Sequence, residues 1–287
     1  MLPKISLVTT NFNYGHYIEE TINSVVRQNY QNLEYWIMDA GSTDQSLDII
    51  KQHQEYIFHW ESKPDKGPYS AINKALSRAS GEIFGWLNSD DLLLPGALNL
   101  VAQIFSAHPS ISWLTTLNRG VIDASGFLSV DPLPGVSRAS FLDGRNLPCK
   151  GRGYHGVIQQ ESTFFRRQLW ERVGGLDLDF PLGADFALWA NFAKEEELYA
   201  TPKLIGAFRN HGQNRSASLT QYYSEARSSL LRTQQEINWK VMKFRDLASR
   251  NATVGRTFLA KRLGYTVNIV DYHDDCNSFV VRQGHFL

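Results

Sequence analysis

The chain has 287 residues, enough for one large core or two small ones, and its 43% hydrophobic and 20% charged residues suit a folded protein. Its formal net charge is zero, which argues against a general nucleic-acid binder, because such proteins carry a large basic surface. No apolar run approaches the roughly 20 residues that a membrane-spanning helix needs. Met1 to Lys4 form no basic-then-apolar leader, and Cys149 and Cys276 make no C-x-x-C pair. The expectation is a cytoplasmic protein without disulfide or zinc staples.

Ile5 to Thr9 is a short β-type run that ends in the polar turn Thr10-Asn-Phe-Asn13. From His16 to Gln28, residues Ile18, Ile22, Val25 and Val26 share one face of a helix. Leu33 to Met38 is the next strand, apolar enough to be buried on both faces. It stops at Asp39-Ala-Gly-Ser-Thr-Asp44, a turn able to cap the helix that carries Leu47, Ile49 and Ile50. A third strand, Tyr56 to Glu61, ends at Lys63-Pro-Asp-Lys-Gly67, and a helix over 70–79 carries Ile72, Ala75, Leu76 and Ala79. The fourth strand, Glu82 to Leu87, meets Asn88-Ser-Asp-Asp91, and Pro95 stands near the start of a helix through Leu98, Val101, Ala102 and Phe105. Strands alternating with helices predict an α/β fold with a mainly parallel sheet. Each polar turn follows the C-terminal end of a strand, and parallel sheets bring those ends to one ligand-binding edge.

After residue 118 the chain reads as loop-rich, with closely spaced Gly and Pro up to Gly153. Val157 to Arg167 follows, then a turn at Gly174-Gly175 and a helix over 184–195 with Phe186, Trp189, Ala190 and Ala193 on it. Residues 221–248 read as a helix with Leu230, Ile237, Val241, Phe244 and Ala248 along one seam, followed by a short basic segment from Arg256 to Arg262. Between Gln221 and Gly264 nine Lys and Arg face three acids. That excess leaves three expectations open for the segment: packing on the domain, peripheral contact with an anionic membrane leaflet, or dimerisation. The division expected is 1–117, 118–220, and 221–287 for a helical basic C-terminal segment.

Asp90-Asp91 is the first candidate for chemistry, because adjacent carboxylates repel unless a cation lies beside them. A solvated pair or a helix cap is the plainer reading of the doublet alone. Asp39 is placed either to contact a ligand or to cap the following helix. Asp185 opens a helix, where the dipole favours an acid whatever its role.

Four runs in order resemble glycosyltransferase family 2, which has the GT-A fold and inverts configuration. They are Ile5-Ser-Leu-Val-Thr-Thr-Asn-Phe-Asn13, Met38-Asp-Ala-Gly-Ser-Thr-Asp44, Gly81-Glu-Ile-Phe-Gly-Trp-Leu-Asn-Ser-Asp-Asp91 and Gly183-Ala-Asp-Phe-Ala-Leu-Trp189. The resemblance spans about residues 4–216. It implies a nucleotide-diphosphate sugar donor, usually a UDP-sugar, a glycan or lipid-linked acceptor, a role in cell-surface polysaccharide synthesis, and Mn²⁺ or Mg²⁺. By position it assigns Thr10 and Asn13 to the nucleotide, Asp39 to the base, Asp65 and Gly67 to the diphosphate loop, and Asn73 to the donor helix. Asp91 would hold the metal, Asp90 the ribose or the metal's water shell, and His211 would complete the metal shell. Asp185 matches the catalytic base, although Ala184 stands where a Glu is usual. Gln160 and Glu161 fall on the acceptor side, with Trp189 and Tyr154 as candidate sugar-stacking surfaces. A nicotinamide enzyme is disfavoured because no G-x-G-x-x-G follows the first strand, and a nucleotidyltransferase because its Gly-rich loop is missing. A non-catalytic nucleotide-sugar binder on the same fold is the alternative.

Overall fold

A computed structural model describes residues 1–148, 155–215, 218–235, 261–262 and 264–286. The first half alternates as the sequence predicts: β1 (Ile5–Asn11), α1 (Ile18–Val26), β2 (Leu33–Asp39), α2 (Ser46–Gln52), β3 (His59–Ser62), α3 (Pro68–Leu76) and β4 (Ile83–Asn88). A two-residue strand β5 (Leu92–Leu93), α4 (Ala97–Ala107), β6 (Trp113–Thr116), β7 (Asn118–Ile122), β8 (Leu128–Pro132) and α5 (Arg138–Leu142) follow. Then come β9 (Phe164–Arg166), α6 (Arg167–Val173), α7 (Ala184–Glu195), β10 (Tyr199–Thr201), β11 (Gly206–Arg209), α8 (Leu219–Gln235), β12 (Thr266–His273) and β13 (Ser278–His285).

Nine strands form one sheet in the order β13-β12-β10-β6-β9-β4-β1-β2-β3. Pairing is parallel among β3, β2, β1 and β4 and again among β6, β10 and β12, with β9 antiparallel between the two groups. Both faces are covered, which is why β1, β2 and β4 read as continuous apolar runs. Ile5, Leu7, Tyr35 and Ile37 pack under α1, α2 and α4 on one face. Val8, Trp36, Met38, Phe84 and Trp86 pack under α3, α6 and α7 on the other. Gly85 lies on β4 beside its antiparallel neighbour β9; a Cβ there would stand 2.7 Å from the ring of Phe164.

Three expectations change. The third strand begins at His59 rather than Tyr56, because residues 54–56 close a 3₁₀ turn. The stretch after 118 is a β-hairpin, with Asp123 accepting bonds from Ser125 and Phe127 at the turn. β7 and β8 join β11 and β5 in a second small sheet. The C-terminal segment is not wholly helical: α8 is followed by the antiparallel hairpin β12–β13 at the sheet edge. There Val267 and Val270 reach opposite cores, the period-two pattern of a strand buried on both faces. Of the expected seam, Leu230 is buried with Ala226 against the core. Ile237, Val241, Phe244, Ala248 and residues 256–260 lie outside the described residues. The nine-stranded sheet crosses both expected boundaries, at 117 and at 220. Among the described residues no helix is long and apolar enough to cross a membrane.

Candidate active site

Strand register brings the polar turns together. Asn11 pairs with Asp39, Thr10 with Asn88, and Asp39 with Ser62, so the C-terminal ends of β1, β2, β3 and β4 finish level on one edge. Asp39 is buried and its carboxylate accepts from Asn11 Nδ2 (2.7 Å), the Ser42 and Ser62 hydroxyls, and the amides of Gly41 and Ser42. Burial alone would raise its pKa, but the donors Ser42, Ser62 and Asn11 outweigh this and hold it below the ordinary carboxylate range. The carboxylate organises loop 40–42 before it meets any ligand. Asn13, at φ 56°, is locked to the same loop: its Oδ1 accepts from Thr43 N and its amide donates to Ser42 Oγ, both at 2.8 Å. Thr10 is buried at the end of β1.

Beside this loop a groove is lined by Asp39, Glu61, Lys63, Asp65, Ser70 and Lys74. Asp65 accepts the Gly67 amide at 2.7 Å, and Gly67, at φ +104°, turns the chain into Pro68 and α3. Asn73 is not offered to this groove. Its amide makes a two-way bond with the backbone of Leu176, at 2.9 and 3.0 Å, and so ties α3 to the turn after α6.

The two carboxylates of the doublet face different surroundings. Asp91 is fully buried, accepting from Arg209 N at 2.9 Å and Asn88 Nδ2 at 3.0 Å. Burial, then the charges of Glu161 and Asp90, push its pKa well above the usual range. Asp90 instead places Oδ2 3.0 Å from His211 Nε2, with Asn214 Nδ2 at 3.4 Å. The His211 ring stacks on Tyr17 at 4.9 Å and meets Tyr14 edge-on at 5.8 Å. Arg209 bonds the Asp90 carbonyl at 2.9 Å, lies over Tyr17 and pairs with Glu20. The His211 loop is thereby fixed to the start of α1.

This donor set fits a divalent ion only in part. Among the described residues no group of three or more His, Cys, Asp and Glu side chains could hold a metal. Asp90 and His211 supply one oxygen and one nitrogen, so ligand oxygens and water would have to complete the shell, the usual manner of Mg²⁺ and Mn²⁺ at diphosphates.

Gln160 and Glu161 are buried behind the doublet rather than presented to an acceptor. Gln160 bonds the Trp86 carbonyl at 2.5 Å and Asn88 at 3.2 Å. Glu161 has no hydrogen-bond partner for Oε1 among the described residues, and burial together with Asp90 raises its pKa to about 8. Trp189 is also no sugar platform. It is 1% exposed and stacks between Trp86 (5.6 Å) and Trp113 (5.9 Å) in the core. Tyr154 lies outside the described residues.

Asp185 sits in the first turn of α7. Tyr222 donates to its Oδ2 at 3.0 Å, while Oδ1 is buried with no hydrogen-bond partner among the described residues. Burial raises its pKa to about 6, against the Phe186 amide and Tyr222, which lower it. Asp90 and, more weakly, Asp185 both act to raise the pKa of the buried Glu161. Sequence reasoning missed Asn11, Asn88, Tyr14, Tyr17, Asn214 and Tyr222. Only Asn11 and Asn88 carried a signal, as polar residues at strand ends.

A sequence profile described as "Glycosyl transferase family 2" matches residues 6–167, more than half of the chain. The chain belongs to glycosyl transferase family 2. The profile covers the aligned strand ends and the acidic doublet, but stops short of Asp185 and His211. An uncharacterized glycosyltransferase of Mycobacterium tuberculosis is 28% identical over 64% of this family 2 chain and 66% of its own length. Another, from Nostoc, is 25% identical over 91% of this chain and 81% of its own. Chondroitin synthase of Escherichia coli is 27% identical over 75% of this chain, which spans only 30% of that protein. Residues 1–349 of S. aureus TarS in complex with UDP-GlcNAc superpose with a TM-score of 0.57 at 18% identity, over 91% of this chain and 70% of that one. The mannosyltransferase PcManGT from Pyrobaculum calidifontis, in complex with GDP-Man and Mn²⁺, gives 0.56 at 19%, over 79% and 65%. These likenesses show that the fold of this family 2 chain is GT-A.

Proposed function

We propose that this chain transfers a sugar from a nucleoside diphosphate, preferably UDP, to an acceptor hydroxyl in the synthesis of a cell-surface or lipid-linked glycan. The observation that carries this is Asp185: a carboxylate in the first turn of α7, held by the Tyr222 hydroxyl at 3.0 Å, whose burial raises its pKa to about 6. A general base is most effective when its pKa lies near the operating pH and contributes ~10²–10⁴ in rate. The donor is read as lying on the aligned strand ends. Asp39, Asn11, Asn13 and Thr10 shape the nucleoside side, and Asp65 and Gly67 the diphosphate side.

Asp90 and His211 would hold Mn²⁺ or Mg²⁺, which when bound would offset the charge gathering on the diphosphate. Asp185 takes the proton of the acceptor hydroxyl as the hydroxyl oxygen attacks the anomeric carbon. The bond from that carbon to the diphosphate oxygen breaks, and its electron pair leaves with the nucleotide. One displacement inverts the configuration, and no carboxylate has to act as nucleophile. The names of two relatives support the donor class: TarS was captured with UDP-GlcNAc and PcManGT with GDP-Man and Mn²⁺.

The test is thermal melting with UDP, GDP and dTDP, each with and without Mn²⁺, followed by nucleotide release from UDP- and GDP-sugars. A metal-dependent rise in melting temperature with UDP, and release lost in Asp185→Asn with binding kept, are expected. If no nucleotide stabilises the protein, the proposal is wrong.

A further inference from the structure

The base at Asp185 lies beyond the matched family region, and the Glu that usually precedes it is Ala184 here. Ala184 is fully buried in the core, so a longer acid would have no room there. Helix α8 supplies what that position does not. Glu225 Oε2 accepts both the Leu182 and Gly183 amides at 2.8 Å, pinning the chain just before α7. Gly183 lets α8 come this close, since a Cβ there would stand 3.1 Å from Glu225 Cβ. From the other side Tyr69 bonds the Leu182 carbonyl at 2.8 Å, and Arg215 bonds the Pro181 carbonyl at 2.7 Å. Tyr222, one turn of α8 before Glu225, holds Asp185 Oδ2 at 3.0 Å, while the buried Oδ1 has no hydrogen-bond partner among the described residues.

We infer that α8 is the positioning element of the proton-accepting site: Tyr222 orients the Asp185 carboxylate, while Glu225 holds the turn on which Asp185 stands. The inference rests on Asp185 being the base. A hydroxyl donating to one oxygen stabilises the charged form and keeps the other oxygen from rotating away. The charged and titratable groups facing Asp185 are Tyr69 from α3, Glu161 from the turn before β9, Arg215, and Tyr222 and Glu225 from α8. Tyr222 donates to Asp185 Oδ2 at 3.0 Å, and Tyr69 on the other side also favours the charged carboxylate.

The experiment measures nucleotide release from UDP-GlcNAc with Mn²⁺, or from whichever UDP- or GDP-sugar proves active, across pH 5–9 on the full chain. Tyr222→Phe keeps the ring and removes only the hydroxyl. It should lower kcat about tenfold, part of the ~10²–10⁴ available to a general base, with donor KM unchanged. The acid limb of kcat/KM should move to higher pH, because the lost donor no longer favours the carboxylate. A merely structural role would change melting temperature and leave that limb in place. Wild-type kcat and an unmoved limb in a folded Tyr222→Phe overturn the inference. Should that variant not fold, Glu225→Ala decides: a lowered kcat at unchanged donor KM supports α8, and an unchanged kcat overturns it. Asp185→Asn, run alongside, separates the two claims. Turnover retained there removes the base assignment itself; turnover lost there, with a normal Tyr222→Phe, removes only the role of α8.

Discussion

Asp90 and His211, 121 residues apart in sequence, meet at 3.0 Å with the His211 ring stacked on Tyr17. The contact joins the turn after β4 to the loop after β11, and Arg209 reinforces it through the Asp90 carbonyl and the Asp91 carboxylate. If this pair holds the divalent ion, His211→Ala should raise the Mn²⁺ concentration giving half-maximal turnover by about 10–100-fold, the usual cost of disturbing a metal's surroundings. Asp90→Asn should do at least as much. Equal metal dependence in both variants and the parent chain, measured by titrating Mn²⁺ into a nucleotide-release assay, would count against the pair.

If Asp185 is the base, it sets a direction for the pH profile. Its pKa is raised to about 6 by burial, and the base works only when ionised. Activity should therefore climb as pH rises through about 6 and level off above it. A profile of kcat/KM at saturating metal checks this; a flat profile between pH 5 and 7 would exclude Asp185 as the group that takes the proton.

Glu161 gives a stability prediction with the opposite kind of sign. Its folded pKa, about 8, stands above that of an unfolded glutamate, so the native state binds its proton more tightly than the unfolded chain does. The stability this contributes is complete below the unfolded value, near 4.5, and is lost as pH rises through about 8. Glu161→Gln, nearly isosteric and never charged, should melt higher than the parent chain at pH 9 and close to it at pH 5. Parallel melting curves for the two proteins from pH 5 to 9 would contradict this.

The sequence made legible what repeats locally. The strands and helices up to Phe105 follow from apolar spacing, and their polar turns converge because parallel strands finish on one edge. Side-chain direction within those turns was not legible. Adjacent Asp90 and Asp91 carry the same chemistry, and only the fold sends one toward His211 and the other into the protein. Asn73 suits a ligand contact by type, yet Leu176, 103 residues away, occupies both ends of its amide. The β12–β13 hairpin lies beyond the basic stretch Gln221 to Gly264 that marked the segment, and β12 is held by parallel pairing with the distant β10 at Tyr199 and Ala200. Tyr222 carried no signal, since a tyrosine in an amphipathic helix announces nothing until the helix is laid across α7.

Trp189 separates a core role from a sugar-stacking one by measurement. Its indole lies between Trp86 and Trp113 at interplanar angles of 13° and 20°, with Phe165 and Phe192 around it. An aromatic side chain buried this fully contributes through area and ring geometry together. Trp189→Ala should cost about 3–5 kcal/mol of unfolding free energy, because the surrounding rings cannot collapse into the space left. Trp189→Phe should recover part of that. A sugar-stacking residue would behave differently: the alanine variant would keep its stability and raise the acceptor KM. Urea unfolding of the three proteins distinguishes the two, and an alanine variant with parental stability would return Trp189 to the acceptor site.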